Sequence, residues 1–238
     1  MTTGTVDESQ RKAARVVGLI YLLALVTGCF AEFYVRDNLI ADSAAQTAQN
    51  IAAHERLFRL GIAANLITFA ADVVLLTALY VVLRPVNRDL ALLAAFWRLI
   101  ETTLLAVTAL NDLTALRLLS GVDYLRAFEA DRLHALARLS VGEHGLAYQL
   151  GLFFFGFGST VFCYLWYKSG YIPRALSAWG VVASFVVGLS AFLFVIHPGL
   201  WDVITPWSYV PIFFFELIVG FWLLLKGISP PAVPDRRS

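Results

Sequence analysis

Charge is scarce in this sequence. Asp, Glu, Lys and Arg together make up 15% of the 238 residues, against 59% hydrophobic, and the mean hydropathy is +0.73. Soluble domains carry about 25% charged and roughly 45–50% apolar residues. An ordinary soluble domain and a disordered chain are both excluded. Cysteine is scarcer still. Cys29 and Cys163 are the only two, and in the topology below they fall near opposite membrane faces. That argues against a disulfide and excludes a disulfide-stapled module or a cysteine-ligated metal cluster. The formal net charge is +1 and no Lys/Arg block stands outside short loops, so nucleic-acid binding has no support. Also missing are a Gly-x4-Gly-Lys phosphate loop, a Gly-x-Ser-x-Gly elbow and a Cys-x-x-Cys pair, and no cofactor is expected.

What the sequence has in quantity is long apolar runs. Crossing ~30 Å of hydrocarbon takes about 20 apolar residues in a helix. Six segments qualify, near 16–34, 57–83, 90–118, 144–167, 175–197 and 206–226. The reading is an all-α integral membrane bundle of six transmembrane helices, with no strands. Spans two and three exceed the minimum, so they tilt or project. Arg11, Lys12 and Arg15 before a run ending Val26-Thr27-Gly28-Cys29 also resemble a lipoprotein signal. The run continues through Phe33 and five more spans follow, which favours a first transmembrane helix.

Lys and Arg in the loops set the orientation. With the N-terminus inside, ten fall on the cytoplasmic side and seven outside, leaving Arg98 within a span. The short outer loop 198–205 carries none, and N-in/C-in is expected. The chain then divides into a cytoplasmic segment 1–15, a single six-helix domain 16–226, and a flexible, proline-rich cytoplasmic tail 227–238. In the first outer loop, Asp42-Ser43 reads as a cap before a helix from Ala44 that runs into span two. The 119–143 loop, with Leu125, Phe128, Leu136 and Leu139 apolar and arginines between, reads either as an amphipathic helix at the interface or as a partly ordered loop. Gly180-x3-Ser184-x3-Gly188 is a small-residue seam for close helix packing, and Gly156-x-Gly158 is likewise a packing feature. Trp97 and Trp222 lie deeper than the other tryptophans and could line a pocket.

Five stretches carry a family resemblance: Cys29–Arg36 (CFAEFYVR), His54–Gly61 (HERLFRLG), Leu90–Arg98 (LALLAAFWR), Gly151–Gly156 (GLFFFG) and Ser169–Arg174 (SGYIPR). Together they resemble an uncharacterised bacterial membrane family known as domain of unknown function 4386, over about residues 11 to 226. The resemblance implies a multi-pass protein of a bacterial cytoplasmic (inner) membrane. It supplies no activity, substrate or catalytic residue.

The chemistry must therefore come from polar side chains placed where they are costly. An ionisable group at the bilayer centre costs at least ~2.5–3.5 kcal/mol on insertion scales and usually faces the bundle interior with a partner. Asp72, Arg98, Glu101 and Glu216 are four such residues. At about 1.5 Å per residue they sit roughly 12–18 Å from the cytoplasmic span ends. Asn65 and Thr108 share helix faces with them at heptad spacing. One cation against three carboxylates leaves an excess of acid, so at least one carboxyl is expected to be protonated or bound to a cation. Two readings stand. The cluster is an ion-paired staple in which Arg98 holds Asp72 or Glu216 and Glu101 is neutral, or it is a functional site: a proton-linked ligand pocket, an ion pathway or an acid catalyst.

A second polar group lies toward the outer face: Glu32, His54, Glu55, Asn111, Asp112, Glu143, His144, Tyr148, His197 and Asp202. His54, His144 and His197 at span ends could hold zinc with a water, but no His-Glu-x-x-His motif accompanies them. Interfacial snorkelling or capping is the preferred reading, and no metal is expected. Three functions follow. The first, favoured by a small margin, is binding or transport of a small lipophilic or proton-coupled ligand at the mid-membrane cluster. The second is an intramembrane enzyme with general-acid chemistry on a lipid or isoprenoid, or zinc hydrolysis. The third is a non-catalytic sensor or partner protein presenting its outer loops. The expected partners are the bilayer itself and a lipophilic small molecule.

Overall fold

A computed structural model describes residues 6–197, 199 and 201–229, without the side chains of 201–206. The element order is α1 (Glu8–Cys29), a π-helical segment (Phe30–Arg36), α2 (Asp37–Leu39), α3 (Ala44–Ala53), α4 (Glu55–Leu83), α5 (Arg88–Leu119), a 3-10 turn (Asp123–Ala127), α6 (Ala130–Ser169), α7 (Arg174–Ile196) and α8 (Trp201–Leu225). Among the described residues there is no strand, and six helical stretches are long and apolar enough to cross a membrane. The side chain of Asp202 and tail residues 230–238 lie outside the described residues. Ser229 is described, and its N–H donates to the carbonyl of Tyr171 at 3.1 Å.

Local chemistry explains where the helices begin and end. Asp7 Oδ1 accepts from the N–H of Gln10 at 2.7 Å, while Gln10 Oε1 accepts from the N–H of Asp7 at 3.1 Å. This reciprocal pair satisfies two donors that the first turn of α1 leaves open. Asn87 Oδ1 accepts from Leu90 N–H at 3.0 Å at the start of α5, and Ser43 Oγ accepts from Gln46 N–H at 3.4 Å at the start of α3, as expected of cap residues. Gly170 takes φ +66° directly after α6, a conformation that other residues adopt only with strain, and Pro173 then leads into α7.

Two expectations from the sequence need revision. Helix α3 does not run into span two, because His54 breaks the path with φ −126° and ψ 38°. The amphipathic stretch after Ala130 is not a separate interfacial helix. It is the first part of α6, whose 40 residues exceed the roughly 20 that a membrane crossing needs.

The chain forms two compact units. The first comprises Met1–Leu22, Asp72–Glu101 and Leu152–Ser238, and the second Leu23–Ala71 and Thr102–Gly151. The first unit packs Trp166, Leu83, Leu165, Phe215 and Leu223 in its interior. Small residues let its helices close up. A Cβ on Gly18 would stand 2.7 Å from the carbonyl oxygen of Gly220, and one on Gly156 would overlap the backbone of Gly188. The seam of Gly180, Ser184 and Gly188 is the face of α7 on which Phe215, Cys163 and Gly156 pack. The second unit buries Val35, Ile51, Phe58, Ile62, Leu105 and Val141 against one another. The outer faces stay apolar. In α7 only 28% of the most apolar stretch is buried, and Val182, Phe185 and Val195 are more than half exposed. A surface of that kind is stable only against hydrocarbon or another apolar partner.

Candidate functional site

Each unit holds one cluster of buried charge. In the first unit, Asp72 comes from α4, Arg98 and Glu101 from α5, and all three are buried. Arg98 and Glu101 are one helical turn apart, which places them on one face, and Nη1 meets Oε2 at 2.6 Å. Nη2 lies 3.8 Å from Asp72 Oδ1. The guanidinium carbon sits 4.5 Å from the ring centroid of Phe155, a cation–π contact that strengthens away from water. Gly158 makes room for the arginine stem, since a Cβ there would stand 2.7 Å from Arg98 Cγ. This is the physical use of the Gly156-x-Gly158 pair.

Glu216 on α8 is partly buried, and the charges acting on it are those of Arg98 and Asp72. Among the described residues its carboxyl forms no ion pair and no hydrogen bond. The buried Tyr21 and Cys163 also stand within electrostatic reach of Glu216 and Arg98. Neither was read from the sequence as part of this site. A tyrosine in an apolar run carries no periodic signal that separates it from core.

Asn65 and Thr108, grouped with these residues by heptad spacing, belong to the second unit. Thr108 is fully buried and donates to the carbonyl of Leu105 on its own helix at 2.6 Å. Asn65 donates through Nδ2 to Glu32 Oε1 at 2.9 Å. Trp97 packs on Phe157 with centroids 5.4 Å apart, and Trp222 lies under the Lys226 ammonium at 4.3 Å.

The second cluster is built on the π-helical segment, where the N–H of Asp37 reaches back five residues to the carbonyl of Glu32. The segment carries Glu32 and Arg36, with Asp112 coming from α5 and His144 from α6. Arg36 Nη1 meets Asp112 Oδ1 at 2.9 Å, and Nε stands 3.5 Å from Glu32 Oε2. Arg36 Nη2 donates to the carbonyl of Val141 at 3.2 Å. His144 Nδ1 is 2.9 Å from Asp112 Oδ2 and Nε2 is 3.4 Å from Glu32 Oε1. Tyr148 stacks on the imidazole, with centroids 6.3 Å apart.

Thus Glu32, Asp112, His144 and Tyr148 of the expected outer group come together. Those of the others whose side chains are described do not join them. His54 is exposed with Nδ1 3.2 Å from the carbonyl of Asn50. Glu55 is exposed and pairs with Arg59 at 2.7 Å. Asn111 uses its backbone carbonyl to accept from Ser140 Oγ at 2.7 Å. His197 is exposed just past α7, and Glu143 is exposed on α6. Among the described residues no three His, Cys, Asp or Glu side chains form a metal-ligating group, so His54, His144 and His197 are not gathered around one point. Arg36, counted from the sequence as a loop charge, is the residue missed. Its spacing of four from Glu32 was the available signal.

Known proteins add a lineage but no activity. A protein of Archaeoglobus fulgidus, titled "Uncharacterized protein", is 26% identical over 162 residues, covering 66% of this chain and 76% of that one. No solved structure matches the chain. The profile of one family, described as Domain of unknown function (DUF4386), matches residues 16–227, nearly the whole length of the helical bundle, and the chain belongs to that family.

Proposed function

We propose that the protein binds a small lipophilic ligand in the membrane and exchanges a proton at the Asp72–Arg98–Glu101–Glu216 cluster as it does so. The observation that carries this reading is Glu216: one guanidinium already engages Glu101 and Asp72, and the third carboxyl has no ion pair or hydrogen bond among the described residues. Three carboxylates and one guanidinium sum to −2 when all are ionised, and burial penalises such an excess heavily unless a proton or a cation joins it. A lipophilic cation that displaces the proton from Glu216 supplies the missing charge, and the aromatic groups nearby, Phe155 and Tyr21, suit an organic one. An ion-paired staple accounts for Arg98 and its two partners but leaves Glu216 without a role. The setting proposed is a bacterial cytoplasmic membrane, with both termini inside, as the loop charges favour.

Calorimetric titration of the purified protein in nanodiscs with tetraphenylphosphonium tests the reading. Two buffers of different ionisation enthalpy count the protons exchanged. Wild type is expected to bind and to release a proton. Glu216→Gln is expected to release none and to bind at least tenfold more weakly, with Glu55→Gln as an exposed control that behaves as wild type. An unchanged Glu216→Gln titration, or binding by wild type without proton release, would overturn it.

A further inference from the structure

The charges of the second cluster alternate around a closed ring, and the ring balances only in one protonation state. Both imidazole nitrogens of His144 face carboxylate oxygens, Nδ1 toward Asp112 at 2.9 Å and Nε2 toward Glu32 at 3.4 Å. Arg36 bridges the same two carboxylates through Nη1 and Nε at 2.9 and 3.5 Å. A neutral imidazole donates from one nitrogen and presents a lone pair at the other. One of the two carboxylates would then face a lone pair instead of a donor. The imidazolium hydrogen-bonds Asp112 through Nδ1 and brings its positive Nε2, which makes no hydrogen bond, to 3.4 Å from Glu32, so the sum of Glu32, Asp112, Arg36 and His144 comes to zero. His144 and Asp112 are almost fully buried, 2% and 3% exposed at their side chains, so an unbalanced charge there is costly.

We infer that His144 is a proton-binding site, and that its bound proton closes the ring that ties the π-helical segment to α6. The inference goes beyond the ligand reading of the first cluster and does not depend on it. The charged groups facing His144 are Glu32 and Arg36 from the π-helical segment and Asp112 from α5. From α4 comes the uncharged amide of Asn65, bonded to Glu32.

Both backbones joined by the ring pack in the core, through Val35 and Val141, and each carries a feature that eases local movement. One is the π-helical segment, an irregularity that recurs at functional sites in helical proteins. The other is the stretch of α6 around His144, flanked by Gly142 and Gly145. Neither glycine is required by close packing. A Cβ on Gly145 would meet nothing within 4 Å, and one on Gly142 only Arg138 Nη1 at 3.8 Å. Their effect is to soften the helix beside the titrating residue. When the proton leaves, the Nε2 contact to Glu32 is the one lost, because it is the longer of the two and Asn65 still holds that oxygen. Asp112 keeps the Nδ1–H. Proton release therefore loosens the π-helical segment from α6, and proton uptake fastens it again.

The test uses the full chain, 15N-labelled at its four histidines, in nanodiscs. The 15N shifts and two-bond couplings separate imidazolium from either neutral tautomer. Of the signals that show the imidazolium pattern at pH 6, the one absent from His144→Gln is expected to lose that pattern to an Nδ1–H tautomer as the pH is raised. Hydrogen exchange of residues 30–39, corrected for intrinsic rate, is expected to rise at least fivefold on the same transition in wild type. In His144→Gln it is fast at both ends and independent of pH. A neutral His144 at pH 6, an Nε2–H tautomer after deprotonation, or exchange in 30–39 that ignores its titration would overturn the inference. A chain with His54→Gln, His134→Gln and His197→Gln assigns the His144 signal independently and gives the first two readouts, so a His144→Gln chain that fails to fold does not rescue the inference.

Discussion

Arg98 Nη1 meets Glu101 Oε2 at 2.6 Å while Nη2 stands 3.8 Å from Asp72 Oδ1, so one guanidinium on α5 serves two carboxylates, Glu101 of its own helix and, across to α4, Asp72. Removing it strands both. Breaking a buried pair by deleting one partner costs about 3–5 kcal/mol, whereas replacing the whole group by apolar residues of similar size is often neutral or stabilising. Arg98→Met is therefore expected to lower the unfolding midpoint of the protein in detergent sharply. The triple substitution Asp72→Leu, Arg98→Met, Glu101→Leu is expected to recover most of the loss. Thermal unfolding followed by circular dichroism checks both.

The spans were legible because hydropathy and length act over 20 residues and need no knowledge of neighbours. The clusters were legible only by type. Asn65 was grouped with Asp72 because seven residues return to the same helix face, but they also advance about 10.5 Å along the axis. A shared face is not a shared level, and Asn65 bonds instead to Glu32. Arg36 was assigned to a loop because the apolar run stops near Phe33. The helix continues through a π-helical segment to Leu39, and no composition signal marks that continuation. The length of α6 was hidden for the same reason. Its first turns are amphipathic, not apolar, and Asp131 and Arg132 fell in a stretch that read either as a separate interfacial helix or as a loop.

Asn65→Leu discriminates the two clusters. The substitution takes one donor from Glu32 Oε1 and leaves every contact of Arg98 in place. Loss of a hydrogen bond to a charged group costs about 1.5–3 kcal/mol. The expected result is a modest fall in the unfolding midpoint with unchanged tetraphenylphosphonium binding, measured by the same calorimetric titration.

Glycines within α6 are expected to divide sharply by position. A Cβ on Gly156 overlaps the backbone of Gly188, while one on Gly145 meets nothing within 4 Å. Gly156→Ala is expected to destabilise by about 1–3 kcal/mol, as overpacking does. Gly145→Ala is expected to stabilise by about 0.5–1 kcal/mol, the helix-propensity difference. Equal effects of the two in a thermal unfolding series would refute the assignment of Gly156 as a contact residue.

The two thiols are expected to react in two classes. Cys163 is 2% exposed, with Ser184 Oγ 4.0 Å from its sulfur and the Phe215 ring beside the Gly180 backbone next to it. Cys29 is only partly buried, at the junction of α1 and the π-helical segment. Reaction requires the thiolate and access to it. A small membrane-permeant maleimide is therefore expected to label one thiol per folded chain, at Cys29, and the second only after denaturation in dodecyl sulfate. Mass spectrometry of the intact protein counts the adducts. Gly180→Ala should abolish the distinction. Its new Cβ falls 2.7 Å from Cys163 Sγ and 2.5 Å from the Phe215 ring, so the packing that shields the thiol has to open, and Cys163 should then label in the folded protein at a rate approaching that of Cys29.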